Sequence, residues 1–407
     1  MFSLVSRRKY FFAIVMGILS VPLFYFPASG MGQALSVEEL DREAARLSQA
    51  GQYMNALPYA SQSLETRVNA GNREDSELAN SLFSLGEIYR NLGQYDEARP
   101  LLERSVEIFR SLTDAENPEL ARSLNSLALV YFQKGEYNQA EAHFYKSIRV
   151  FEKSFGPGHP NMAAVINNLG RLYDTTGEFP QAKNLYEKSL EILRHALGEE
   201  HPQIAASLNN LALLHHRMGD YYKVKPLYDR ALQIYEKAAF TGHPNYATTL
   251  CNLADYYLDM GEYSRVEPLL IHSLEIRAKN LGSDHPGMAH SLDSLAKLYM
   301  VLGQYAKAEP LIRRSLKIRE RAYGPNHPEV ADSLETLAEM YKDLENYDRA
   351  DPLLLRALKI RENSLGYLHP EVAKSFNKLA EFYEETGDHK RAENMHYSAT
   401  KIMRQNP

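Results

Sequence analysis

Tryptophan is absent from the 407 residues and cysteine occurs once, at Cys251. A single thiol excludes an intrachain disulfide, so packing must supply the stability. An excess of positive charge is also missing: 46 Lys and Arg face 52 Asp and Glu, a formal net charge of -6. No surface able to track a phosphate backbone follows from that balance, and nucleic acid is not an expected partner. The chain contains no Gly-x-x-x-x-Gly-Lys-Ser/Thr loop, Gly-x-Ser-x-Gly elbow, His-Glu-x-x-His helix or Cys-x-x-Cys pair, the signatures of phosphate cradles, nucleophile elbows and zinc sites. What is present, 44% apolar and 24% charged residues, is enough to build a large core.

Long apolar runs are scarce as well, with one exception. Arg7, Arg8 and Lys9 precede an apolar run from Tyr10 to Phe26, and small residues follow through Ala34. Basic flank, apolar core and small-residue end are the order of a secretory signal. Residues 1–34 are therefore expected to be a signal peptide, with cleavage after Ala34 or near Ala28-Ser29-Gly30. The alternative is an uncleaved N-terminal membrane anchor, for which the run is short and interrupted by Pro22. Both place the remainder of the chain outside the cytoplasmic membrane, in the periplasm, at the cell surface or secreted.

The rest of the chain repeats itself. His-Pro dipeptides begin at His159, His201, His243, His285, His327 and His369, each 42 residues after the last, and Asn117-Pro118 extends the series. Glycine keeps the same step from Gly51 through Gly303, gives way to Glu345, and resumes at Gly387. Nine glycine-phase positions predict nine hairpins. Leu124, Leu127, Ala128 and Tyr131 have helical spacing and define helix A; Ala140, Phe144, Ile148 and Phe151 do the same for helix B. Proline is tolerated at the first helical position, so His-Pro marks the start of helix A, and glycine after helix A can take the left-handed conformation that turns the chain. Glu345 predicts about 1 kcal/mol of strain or a different turn.

Three columns of the repeat read as packing. One is leucine from Leu85 to Leu379, the next is only glycine or alanine from Gly86 to Ala380, and a third is tyrosine from Tyr89 to Tyr383 with His215 as exception. The small column lets helices approach while leucine fills the space beside it. Tyrosine suits a hairpin edge and is not a cofactor box. Histidines of neighbouring His-Pro turns stand at least about 8–10 Å apart, too far to share a metal ion. Prolines within helix B, at Pro58, Pro100, Pro226, Pro268, Pro310 and Pro352, are read as shaping curvature. The final helix, about His389–Arg404, carries a polar outer face suited to capping the array.

Leu-x-x-Leu-Ala-x-x-Tyr followed by Gly-x-Tyr-x-x-Ala resembles the tetratricopeptide repeat. The 42-residue unit seen at Ser207–Lys237 is similar to the repeats of kinesin light chain and of many bacterial proteins, and the likeness runs from Ser36 to about Arg404. The resemblance implies an all-α, right-handed solenoid of nine helix-turn-helix repeats over residues 35–407. It further implies a non-enzymatic scaffold without cofactor or metal, binding a protein or extended peptide rather than a small-molecule substrate, in a concave groove lined by helix A.

Carried onto this chain, the family's groove positions flank the leucine column. They hold Asn125, Asn167 and Asn209, then Asn168, Asn210 and Asn252, with Arg171 beside them. An amide both donates and accepts, so a ladder of amides can pair with an extended backbone whatever its side chains. Further along stand Asp255, Asp293, Lys297, Glu335, Glu339 and Asn377, where carboxylates outnumber lysines and a basic partner segment is expected. Two alternatives remain: a membrane-tethered assembly factor that docks through its convex face, and an enzyme whose site the sequence does not display.

Overall fold

The computed structural model describes residues 35–71, 74–112 and 117–405. The expected export segment, residues 1–34, lies outside them. Among the described residues there are eighteen α-helices and no strand, and none of the helices is long and apolar enough to cross a membrane. The A helices are α1 (Val37–Gln49), α3 (Ser76–Asn91), α5 (Pro118–Gln133), α7 (Pro160–Thr175), α9 (Pro202–Arg217), α11 (Pro244–Asp259), α13 (Gly287–Val301), α15 (Pro328–Asp343) and α17 (Pro370–Glu385). The B helices are α2 (Tyr53–Asn69), α4 (Tyr95–Leu112), α6 (Tyr137–Phe155), α8 (Phe179–Leu197), α10 (Tyr221–Lys237), α12 (Tyr263–Leu281), α14 (Tyr305–Tyr323), α16 (Tyr347–Leu365) and α18 (His389–Gln405). Each A helix packs on its B helix, forming nine consecutive hairpins.

Local chemistry sets these boundaries. The Nδ1 of His159, His201, His243, His327 and His369 accepts a hydrogen bond from the backbone N–H two residues on, at 3.1–3.3 Å. Each imidazole is thus the N-cap of an A helix, satisfying a donor the helix itself leaves unpaired. His285 does the same toward Gly287 at 3.0 Å, and its helix begins at Gly287, one residue later than in the other His-Pro units. Glu345 adopts φ 55°, the left-handed conformation of the glycines it replaces. Of the two expected outcomes, strain within the same turn is the one realised.

Packing follows the columns. The leucines from Leu85 to Leu379 are all buried. A Cβ on Gly86 would lie 2.8 Å from Leu102, and one on Gly170 equally close to Tyr186, so the small column is where the A helix meets its own B helix. A helices also touch the A helices of neighbouring repeats, which makes them the inner layer of a curved array. Tyrosine hydroxyls fasten one repeat to the next: Tyr131 donates to Glu103 at 3.1 Å, Tyr299 to Glu267 at 2.6 Å, Tyr341 to Glu309 at 2.8 Å and Tyr383 to Asp351 at 2.7 Å. In each case the carboxylate belongs to the preceding B helix.

The array coils far enough to meet itself. A Cβ on Gly51 would fall 2.6 Å from His285, one on Gly93 2.7 Å from His327 and one on Gly135 2.9 Å from His369, so the glycine turns of the first three repeats rest on His-Pro turns 234 residues later. Tyr53 stacks on Tyr323 across the same seam, with ring centroids 6.2 Å apart. His327 and His369 are only 8% and 9% exposed, and the backbone of Asn91 and Gln133 in the adjoining coil acts on them. The His-Pro turn is therefore a helix start everywhere and, in three repeats, a contact between successive coils.

Burial holds His327 and His369 in the neutral form that this geometry requires, pushing each down to about 4. The unfolded imidazole titrates near 6.5. Between those values the open state binds protons that the closed state refuses, so stability is full above about 6.5 and falls as pH drops toward about 4. The loss approaches about 3 kcal/mol per histidine. Thermal unfolding followed by circular dichroism should show that slope. His327→Asn with His369→Asn, which keeps a capping side chain too short to span the seam, should flatten it.

Candidate protein-binding groove

The inner helices place the expected groove residues on neighbouring turns of one face. Four of the amides form two pairs across repeats: Asn168 Nδ2 donates to Asn125 Oδ1 at 3.0 Å and Asn252 Nδ2 to Asn209 Oδ1 at 2.9 Å. These side chains thus spend part of their hydrogen-bonding capacity on each other, and Asn209 and Asn252 are buried. In the same columns, Asn167 Oδ1 is buried with no partner, and Asn210, 43 residues on, is partly exposed. Arg171 is exposed, its guanidinium 5.2 Å from the centroid of the Phe132 ring. Lys297 and Glu339 are exposed, and Asn377 is partly so.

Two of the expected acids, Asp293 and Glu335, are not free groove residues. Asp293 and Glu335 are each 7% exposed. Asp293 is ion-paired with Arg319, and Glu335 with Arg361 and, at 2.5 Å, with Lys378. Burial alone would raise Glu335, but Arg361 and Lys378 outweigh it and hold the carboxyl below its usual range. Both acids are neutralised from within, and neither is free to select a basic partner. Each arginine lies 26 residues after its acid, on the B helix of the same repeat, and Arg67 with Asp41 repeats the arrangement at 2.6 Å.

Where the inner column carries asparagine or phenylalanine, the position 26 residues on is apolar: Phe109, Phe151, Leu193 and Tyr235. Cys251 departs from both patterns. It stands in the acid's place opposite Arg277, a guanidinium 5% exposed whose Nε has no partner. The other nitrogens of Arg277 donate to the Gly287 carbonyl and to Thr248 Oγ1. Burial pulls Arg277 below its usual range, and the nearby sulfur only partly offsets that.

Cys251 Sγ lies 3.6 Å from His290 Nδ1, and His290 Nε2 lies 3.2 Å from Asp255 Oδ2. His290 is raised well above its ordinary value, chiefly by Cys251 and further by its bond to Asp255. Burial would raise Asp255, but the His290 bond keeps it below the usual carboxylate range. The order sulfur, imidazole, carboxylate is that of an activated nucleophile. The sulfur, however, is 0% exposed, so anything that reaches it must first displace the side chains around it. His290 and Arg277 were not among the residues expected from sequence; the 26-residue spacing between the two columns is the signal that points to Arg277. A cleft of about 380 Å³ opens on the first repeats, between Asp41, Arg67, Phe83 and Arg122.

A single substitution tests the buried pairs. Arg319→Met leaves Asp293 buried without its counter-ion and should destabilise the fold by about 3–5 kcal/mol. Adding Asp293→Leu should recover part of that loss in chemical denaturation, since it removes the unpaired buried charge while Ser315, Ser333 and Glu329 still lack the guanidinium.

Comparison with known proteins gives a consistent result. A tetratricopeptide repeat family model matches residues 42–111, 119–195, 177–223, 203–279, 293–363 and 329–405. A search of curated proteins finds no match. Among solved structures, a Rap protein complexed with Competence and Sporulation Factor is 12% identical, covers 91% of this chain and 99% of its own, and superposes with a TM-score of 0.58. The apo form of RapI is 17% identical over 70% of this chain and 98% of its own, with a TM-score of 0.51. A kinesin light chain-like protein of Podosopora anserina, with nearly identical TPR-like repeats, is 26% identical over 50% of this chain and 96% of that one, at a TM-score of 0.44. With matched segments spanning nearly all of the nine hairpins, the chain belongs to the tetratricopeptide repeat family.

Proposed function

We propose that this protein is a non-enzymatic scaffold that holds an extended peptide or a protein segment against its inner helices, outside the cytoplasmic membrane. The observation that carries the binding reading is Asn167, whose buried Oδ1 is without a partner in columns where other amides pair with each other. A buried acceptor left unpaired is unfavourable by about 1–3 kcal/mol. A backbone N–H from an extended peptide, lying where Asn210 and Arg171 are accessible, would satisfy it. A Rap protein, alike in fold, has been solved in complex with Competence and Sporulation Factor. Preference for a basic segment is not part of this reading, because Asp293 and Glu335 are occupied by arginine.

The binding test is a paired capture from extract with the wild-type chain and an Asn167→Ala/Asn210→Ala variant. Proteins bound in the groove should be retained by the first and lost at least about tenfold from the second, while circular dichroism of the two chains coincides. Equal recovery by both would refute the amide site.

The export reading rests on the Arg7–Lys9 flank and the Tyr10–Phe26 run. Expression in a bacterial host followed by mass measurement of the N-terminus should find cleavage after Ala34 or near Gly30, in a periplasmic or secreted fraction. An intact N-terminus in the membrane fraction would instead favour the tethered form, with the convex face left to dock.

A further inference from the structure

We infer that Cys251, Asp255 and His290 form a binding site for a borderline transition-metal ion, zinc by preference, on the inner face of the coil. One donor atom from each residue lies within 4.8 Å of the other two. Cys251 and Asp255 are four residues apart on α11 and so share a face; His290 comes from α13, the next inner helix. The 3.6 Å between Cys251 Sγ and His290 Nδ1 suits two ligands held at about 2.0–2.3 Å from one tetrahedral ion. Asp255 now bonds the opposite ring nitrogen. A metal drawing in all three therefore requires the half-exposed imidazole or the carboxylate to turn, and both lie where the groove leaves room.

The donor set names the class of ion. One sulfur, one imidazole and one carboxylate match zinc and its first-row neighbours, whereas calcium and magnesium ask for oxygen alone. Three protein ligands leave a fourth position open toward the groove, for water or for a side chain of a bound partner.

Arg277 is the independent observation. Its counterparts Arg319 and Arg361 each face a carboxylate from the same inner column. Arg277 faces Cys251, and its Nε is buried and unpartnered. A cysteine that exchanges its proton for a metal ion becomes a thiolate, whose remaining lone pairs can accept from a guanidinium where the column elsewhere offers carboxylate oxygens; the proton leaves to solvent.

The test is titration of the tag-free chain with cobalt(II). One equivalent should produce a sulfur-to-cobalt charge-transfer band in the near ultraviolet and intense visible bands of tetrahedral cobalt, both removed by added zinc. Cys251→Ser should abolish the charge-transfer band. His290→Ala, on the open face and outside the core, should weaken affinity by about tenfold or more while leaving the circular dichroism spectrum and thermal unfolding unchanged. No band in the wild-type chain would overturn the site. So would a band whose midpoint is the same in His290→Ala and Asp255→Asn, since cobalt would then be bound by sulfur without the constellation.

Discussion

Close approach of the helices at the glycine and alanine column is the constraint on which the rest of this molecule depends. A residue without a side chain at Gly86 or Gly170 admits Leu102 or Tyr186 almost to the backbone of the inner helix. The inner helices then lie near one another, and the long outer helices fan apart around them. That difference in spacing is curvature, and 42-residue regularity makes the curvature add in one direction. Every later feature, from the inner face with its amides to the seam between coils, is a consequence of that repeated tilt.

Much of this was legible because the repeat states each rule several times. His-Pro as a helix start, glycine as a left-handed turn and leucine as buried filler are local effects, and six to eight copies of each remove ambiguity. The sign of the groove was not legible in the same way. Asp293 and Glu335 look like free acids when only the inner helix is read. The arginines that neutralise them sit in a different column, on the returning B helix, and become visible only when two columns 26 residues apart are read together. The seam was further out of reach. It depends on a small rotation per repeat accumulated across more than five repeats, and no single unit encodes it.

The inner column also shows how a regular fold makes room for an exception. Opposite an apolar residue it carries asparagine or phenylalanine, and opposite arginine it carries an acid. Burial enforces that correlation, because an isolated buried charge is strongly unfavourable while a paired one is tolerated. Cys251 is the one member of the column that meets arginine without being a carboxylic acid. The rule that explains its neighbours therefore makes the sulfur, and not the six regularly spaced His-Pro histidines, the place where chemistry beyond packing belongs.

Contact between successive coils bears on how a partner gains the inner face. With the seam closed, the glycine turns at Gly51, Gly93 and Gly135 are covered by His285, His327 and His369. A partner that reaches the inner helices without parting the coils leaves this seam intact. Parting them exposes two neutral, buried imidazoles to water. Any ligand that needs the open coil must therefore bind it more tightly than the closed one by at least that free energy. Under the proposed reading, that difference favours a partner segment that leaves the seam closed.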